Sequence, residues 1–135
     1  MTESSRSDPA IRVIMMPKDT NAMGTIFGGV ILSYIDQAAA IQAYKYASQR
    51  FVTKAMNAVE FVAPVRLGDV VSFYTSVLRV GRTSITLKVD VEVERFPDSK
   101  GTHFVKVTEA TVVCVAVDAA GRPVPIQSSS LEPVD

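Results

Sequence analysis

A single carboxylate, Asp36, stands inside an apolar run with helical spacing and follows the glycine pair Gly28 and Gly29. An ionised side chain is rarely buried without a partner or a function. If the helix begins near Gly28, its first N–H groups are unpaired and carry partial positive charge, and glycine lets a ligand come close to them. Such groups would stabilise a carbonyl oxygen that develops negative charge, and an acid in an apolar environment suits a general base that acts on water.

Each of these features also has a purely structural interpretation. A neighbouring side chain or a dimer interface would satisfy Asp36. The glycine pair is typical of close helix packing or of a turn, and Asn21 is typical of a turn or a helix cap. None of these signals is specific alone, so both interpretations stay open at this point.

Other kinds of chemical site find little support in the sequence. The single histidine, His103, has no nucleophile or second ligand suggested by spacing, and the dinucleotide-binding and P-loop glycine patterns are absent. The single cysteine, Cys114, excludes an intrachain disulfide and a CxxC metal site. We expect Cys114 to pack in the core, where thiols are usually inert, and we expect no metal site.

Length and charge limit the class of protein. The 135 residues fit one domain, and 14 basic residues balance 14 acidic ones. The chain therefore has no net positive charge that would attract nucleic acid or an anionic membrane surface as a partner. The N-terminus lacks the apolar stretch of a signal peptide, and no later apolar run approaches the roughly 20 residues of a membrane helix. We expect a cytoplasmic protein whose domain spans residues 10–126, with flexible ends at residues 1–9 and 127–135.

Hydrophobic periodicity predicts one strand, one helix and then four strands. A short apolar segment at residues 10–16 is typical of a first strand, and a shaped loop follows at residues 17–29. From residue 28 to about 47–50, the spacing is that of a helix with one wide buried face. Four strand-like segments follow, separated by turn residues, at residues 51–62, 69–80, 83–95 and 103–117.

The strand at residues 83–95 alternates strictly, with an apolar residue at every second position from Ile85 to Val93. One of its faces must be buried, and the other must contact water. The last strand is apolar on both faces from Ala110 to Val117, which favours a central position in the sheet or a subunit contact. Short turns between serial strands favour an antiparallel sheet, and one helix is enough to cover a face of it. The sequence therefore predicts an α+β domain.

In three stretches the chain resembles the acyl-CoA thioesterases of the hot-dog fold, a family that includes bacterial short-chain acyl-CoA hydrolases and cytosolic acyl-CoA hydrolase domains of animals. The stretches are MPKDTNAMGTIFGGVILSYIDQAAA, FVAPVRLGDVVSFYTSVLRVGRTSITLKVDVEV and TEATVVCVAVDAAGRPVPI, and the likeness covers most of residues 13–126. The resemblance implies a long helix held in a curved antiparallel sheet, with element order β-α-β-β-β-β. It also implies hydrolysis of an acyl-CoA to free CoA and a carboxylic acid, without a cofactor beyond the CoA portion of the substrate.

The resemblance further implies roles for single residues. Asp36 would activate water or attack the thioester, and Asn21 would be a polar partner from the facing subunit. The N–H groups near Gly28 and Gly29 would hold the thioester oxygen. Thr25 stands where relatives often carry Asp or Asn, and it can donate and accept a hydrogen bond but cannot act as a base. The implied site is Asp36 with the glycine pair plus Asn21 of a second chain, so an isolated monomer would be inactive.

The family binds CoA along the surface near a strand turn. The resemblance therefore implies pantetheine or phosphate contacts at Gly81, Arg82, Thr83 and Ser84, although Arg82 would equally suit a solvated turn. Family members form dimers within larger assemblies, so we expect a homodimer at least, with a trimer of dimers as the larger form. Two alternatives stay open: a hot-dog module that binds acyl-CoA without cleaving it, and a hydratase or dehydratase, which would need a histidine matched with an acid.

Overall fold

The computed structural model describes residues 8–57, 59–98 and 101–127. The elements are β1 Ile11–Ile14, α1 Gly28–Tyr46, β2 Phe51–Asn57, β3 Val70–Val80, β4 Ser84–Asp98 and β5 Gly101–Ala116, with a 3-10 turn at Pro17–Asp19. The predicted order β-α-β-β-β-β is confirmed. The expectation of flexible ends at residues 1–9 and 127–135 falls mostly on residues 1–7 and 128–135, which lie outside the described residues.

The described strands form one antiparallel sheet in the order β1-β3-β4-β5-β2. β5 lies between β4 and β2, which confirms the central position predicted for the last strand. β1, with four residues, lies at one edge of the sheet. β2 lies at the other edge and, among the described strands, pairs only with β5.

One face of α1 packs across the sheet. The small residues Ala38, Ala39 and Ala43 are fully buried there, and they let the helix backbone come close to the strands. The strict alternation predicted for β4 is confirmed, because the five alternating apolar side chains are fully buried: Ile85, Leu87, Val89, Val91 and Val93. Burial of one such side chain contributes about 1.5–3 kcal/mol. This row of buried side chains on β4 therefore determines which face of the sheet the helix covers.

The predicted boundaries are less accurate than the predicted order. The second strand was expected at residues 51–62, but β2 ends at Asn57, and residues 59–65 lie outside any strand. That stretch is apolar, and a short apolar run does not distinguish a strand from a loop that packs against the core. β4 and β5 reach Asp98 and Gly101, so their connection is shorter than the predicted residues 96–102.

Two kinds of feature are absent from the described part of the chain. No helix there has the length and apolarity that a membrane crossing requires. No group of three His, Cys, Asp or Glu side chains there could hold a metal ion.

Candidate active site

The first residues of α1 leave two backbone donors open. The helix begins at Gly28, and its N-cap, Phe27, makes no side-chain hydrogen bond to the first turn. Within the described part of the chain, the N–H groups of Gly28 and Gly29 donate to no acceptor, whereas the N–H of Val30 bonds the Phe27 carbonyl at 3.0 Å. Unpaired N–H groups at a helix N-terminus carry partial positive charge. They can therefore stabilise a negatively charged oxygen.

Gly28 borders an apolar cleft of about 340 Å³. The cleft is lined by Thr25, Ile26, Gly28, Ile31 and the loop at residues 61–65. A methyl group added at Gly28 would lie 3.9 Å from the Phe61 ring, so this ring packs beside the start of the helix. Gly29 faces another groove, of about 440 Å³, on the outer side of α1 with Phe27, Ser33 and Gln37. The two glycines therefore border different surfaces.

Asp36 lies eight residues after Gly28 on α1, about 12 Å further along the helix axis. Its side chain is half-buried, and Oδ1 accepts a hydrogen bond of 2.5 Å from the Thr53 hydroxyl on β2. This bond agrees with the structural interpretation of Asp36, and it would equally hold the carboxylate in one orientation for catalysis. Within one chain, the structure does not bring Asp36 to the N–H groups of Gly28 and Gly29.

Thr53 is a site residue that the sequence did not reveal. It pairs in register with Cys114 of β5, and a register shift follows between Thr53 and Ala55. The shift breaks the alternation of β2, so periodicity could not have assigned Thr53 to the helix-facing side. Cys114 is 1% exposed, which confirms its predicted place in the core. Burial raises the pKa of the Cys114 thiol above its ordinary value of 9.0, a hydrogen bond with Thr53 opposes the increase, and the nearby Asp36 charge adds to it.

Asn21 and Thr25 close a loop that leads into the cleft. The Asn21 side-chain nitrogen donates to the Thr25 hydroxyl at 2.9 Å. The Asn21 side-chain oxygen accepts from the backbone N–H groups of Met23 and Thr25, at 2.8 and 3.2 Å. Gly24 within this loop has φ of 85°, a conformation that glycine adopts without strain. In one chain, Asn21 therefore acts as a turn residue, and Thr25 both anchors it and lines the cleft.

The residues predicted to contact CoA lie far from this cleft in the same chain. The β3–β4 turn is closed by a bond of 2.7 Å from the Gly81 N–H to the Ser84 carbonyl. The carbonyls of Arg82 and Thr83 accept from Ile126 and Ala116 at the end of the sheet that adjoins the C-terminus of α1. The 19 residues of α1 span about 28 Å. The structure therefore places the turn and the Gly28 cleft at opposite ends of the helix, with the Arg82 side chain exposed.

Comparisons with known proteins agree on one family. The family model described as the thioesterase superfamily matches residues 23–95. The acyl-CoA thioester hydrolase YciA of Escherichia coli is 38% identical over 118 residues, which are 87% of this chain and 89% of the relative. The hexameric hotdog fold thioesterase of Campylobacter jejuni is 43% identical, with a TM-score of 0.86 over 92% of this chain and 93% of that one. The chain belongs to the hot-dog fold acyl-CoA thioesterases.

A further solved structure supports the assignment of this thioesterase. HI0827, a hexameric broad specificity acyl-coenzyme A thioesterase, is 39% identical in its Asp-to-Ala mutant form, with a TM-score of 0.86 over 93% of each chain. The predicted α+β hot-dog fold is therefore confirmed, with α1 wrapped by a curled five-stranded sheet. The thioesterase is an acyl-CoA thioester hydrolase, as the resemblance implied, and not a module that only binds acyl-CoA.

Proposed function

We propose that this thioesterase cleaves acyl-CoA at a site shared between two chains, with Asp36 from one chain and Gly28 from the other. The observation that carries the proposal is the distance between these residues in one chain, about 12 Å along the axis of α1. A general base must lie within about 2.6–3.2 Å of the water oxygen whose proton it removes. An oxyanion donor must lie about 2.7–3.1 Å from the thioester carbonyl oxygen. One thioester cannot meet both requirements within one chain, so a second chain must supply one of the groups.

The proposal divides the site differently from the sequence-based expectation. That expectation grouped the glycine pair with Asp36 and took Asn21 from the second chain. Asn21 lies seven residues before Gly28 and bonds Thr25, which lines the same cleft, so we group it with the glycines. One hydrogen of the Asn21 amide bonds Thr25, and the other has no acceptor within the described residues. The Asn21 amide can thus bind substrate while Thr25 holds the amide in one orientation.

A second copy would reach Asp36 over the edge strand β2. An edge strand presents unpaired N–H and C=O groups along one side, and β2 carries exposed side chains at Val52, Thr53 and Lys54. Two similar thioesterases, the C. jejuni protein and HI0827, are hexameric. This supports a homodimer that assembles further as a trimer of dimers. The dimer is the smallest active unit in this proposal, and an isolated monomer would be inactive.

In the proposed reaction, Asp36 removes a proton from water as a general base, or it attacks the thioester carbon itself as a nucleophile. In both cases the carbonyl oxygen gains negative charge, and the unpaired N–H of Gly28 from the facing chain binds it. On the general-base route the hydroxide adds to the carbonyl carbon, the C–S bond breaks, and the CoA thiolate takes up the proton that Asp36 removed. On the nucleophilic route the C–S bond breaks to leave an acyl–Asp36 anhydride, and water hydrolyses it to the carboxylic acid, restores Asp36 and supplies the proton for the thiolate. The Thr53 hydroxyl holds the Asp36 carboxylate towards the dimer edge throughout these steps.

The two ends of the substrate would contact different surfaces. The acyl group would enter the cleft beside Gly28, where Ile26, Ile31 and Phe61 provide apolar walls. The CoA portion would extend to the β3–β4 turn, where the exposed Arg82 suits a phosphate. HI0827 is a broad specificity enzyme, and an apolar cleft of this kind supports acceptance of more than one acyl length here.

Replacement of Asp36 tests the central assignment. Asp36 is half-buried and bonded to an exposed threonine, so Asp36→Ala should keep the fold. We expect turnover to fall by roughly 10² to 10⁴-fold, measured as thiol release from a panel of acyl-CoAs. Asp36→Asn keeps the shape and an acceptor for Thr53, so it should be as inactive as the alanine variant. Turnover near that of the wild type on every acyl-CoA would contradict the role of Asp36.

A further inference from the structure

One wall of the Gly28 cleft is a loop, residues 61–65, that lies outside any strand. Loops move more than the elements they connect, yet this loop forms a surface against which the acyl group would pack. Two hydrogen bonds hold it near its ends, from the Val62 N–H to Val107 O at 2.8 Å and from the Ile26 N–H to Val65 O at 2.9 Å. The middle of the loop needs another anchor, because Pro64 has no N–H to donate.

Arg95 of β4 supplies that anchor. Its Nη2 donates to the Pro64 carbonyl at 3.2 Å. The same guanidinium forms a two-pronged pair with Asp69, with Nε to Oδ1 at 2.9 Å and Nη2 to Oδ2 at 2.8 Å. Asp69 is 2% exposed and also accepts the Arg66 N–H at 2.8 Å. A buried carboxylate with this many donors holds the guanidinium in one orientation, which in turn fixes the position of Pro64.

The charge and shape of arginine are both needed for this arrangement. The hydrogen bond with Asp69 raises the pKa of Arg95 above its ordinary value, so the guanidinium stays charged. The planar fork can direct two N–H groups at the carboxylate and a third at the Pro64 carbonyl. A lysine would keep the charge, but its compact ammonium group does not reproduce the two parallel bonds together with the third.

We propose that Arg95 is a positioning residue that sets the width of the acyl cleft through Pro64, and so determines how this thioesterase discriminates between acyl groups. Arg95 acts through the loop at residues 61–65 and does not touch the reacting atoms. The proposal rests on the proposed function, in which the acyl group lies beside Gly28. If the wall loosens, long acyl groups lose contacts while an acetyl group, which scarcely reaches the wall, does not.

The test is Arg95→Lys, assayed against straight-chain substrates from acetyl-CoA to decanoyl-CoA. We expect kcat and KM for acetyl-CoA to change less than about 2-fold and KM for the longest good substrate to rise about 10-fold, the scale of discrimination that pocket contacts provide. A decrease in kcat/KM by the same factor for every acyl-CoA, or an unchanged profile, would overturn the proposal. A merely structural role would lower the melting temperature without changing the ratio between substrates.

Two further variants keep the test decisive. Thr108→Val removes a hydroxyl that donates to the Glu60 carbonyl at 2.5 Å, and so loosens the chain immediately before this loop without disturbing the buried pair. It should raise KM for the long acyl-CoAs relative to acetyl-CoA, as Arg95→Lys does. If Arg95→Lys does not fold, an unchanged dependence of KM on acyl length in Thr108→Val overturns the proposal. Arg12→Lys is the matched control, because Arg12 bonds only Ser72 and Tyr74 side chains among the described residues and lies on β1. It should leave the profile unchanged.

Failure of this inference and failure of the proposed function give different results. If Asp36→Ala retains its turnover, the proposed function fails whatever Arg95→Lys does. If Asp36→Ala is inactive and the Arg95→Lys profile runs parallel to that of the wild type, only the role of Arg95 is wrong.

Discussion

The Thr53 hydroxyl donates a hydrogen bond of 2.5 Å to Oδ1 of Asp36 and thereby joins α1 to the edge strand β2. The two residues are 17 positions apart in the sequence. The bond holds the carboxylate beside the edge strand of the described sheet. Asp36 therefore belongs to the edge of the fold and not to its centre.

Removal of the Thr53 hydroxyl should weaken catalysis without unfolding the protein. Thr53→Val keeps the size and β-branch of the side chain at an exposed position, so the melting temperature should change little. A hydrogen bond to a charged group contributes roughly 1.5–3 kcal/mol, and exposure places this one at the low end, so kcat should fall about 10-fold. Thr53→Ser retains the hydroxyl and should recover most of the rate. Equal losses in the valine and serine variants would show that the hydroxyl is not what matters.

Gly28 offers a way to delete one N–H without breaking the helix. Proline is tolerated at the first helical position, and Phe27 already has the extended ψ of 128° that a residue before proline prefers. Because the Gly28 N–H bonds no described acceptor, Gly28→Pro should fold normally. Loss of an oxyanion donor should lower kcat by roughly 10² to 10³-fold in steady-state assays.

Gly28→Ala is the control for added bulk, because it retains the N–H. A methyl group there would lie 3.9 Å from Phe61, an ordinary contact, so the fold should tolerate it. It should be more active than Gly28→Pro. If the alanine variant is as impaired as the proline variant, steric obstruction and not the lost donor explains the effect.

The Cys114 thiol should make stability fall at alkaline pH. Its pKa is raised above 9.0 in the folded state, mainly by burial, so the folded chain holds this proton more tightly than the unfolded chain does. The contribution is therefore constant below pH 9.0 and is lost as the pH rises from 9.0 towards the folded pKa. Urea unfolding at neutral and alkaline pH measures how steeply the free energy of unfolding falls with pH, and Cys114→Ala should reduce that fall. In the folded protein a thiol reagent should react slowly with Cys114, and rapid reaction would contradict its burial.

The sequence predicts those parts of this fold that depend on local patterns. The alternation from Ile85 to Val93 identifies the buried face of β4, and the apolar spacing after Gly28 identifies the helix. Residues 59–62 were predicted as strand, because Val59, Phe61 and Val62 form a short apolar run that does not distinguish a strand from a loop. Local patterns carry no information about which distant residues meet.

Contacts between distant residues account for the rest of the site. The partnership of Arg95 with Asp69 joins β4 to the segment before β3 across 26 positions, and the charges alone do not specify the pairing. Thr53 meets Asp36 across 17 positions, and the register shift that follows Thr53 breaks the alternation of β2 that could have indicated its face. The distance between Gly28 and Asp36 becomes informative once the structure shows one continuous helix from Gly28 to Tyr46, since it separates two groups that one substrate must contact.

Mixing two inactive variants tests the shared site most directly. Asp36→Ala and Gly28→Pro chains are unfolded together and allowed to reassociate, and the thiol release of the mixture is compared with that of each parent treated alone. If Asp36 of one chain serves Gly28 of the other, each mixed dimer contains one intact site out of two. Random pairing should then restore about one quarter of the wild-type turnover. If the mixture, with mixed dimers demonstrated by mass spectrometry, stays as inactive as its parents, Asp36 and Gly28 act within one chain and the account is wrong.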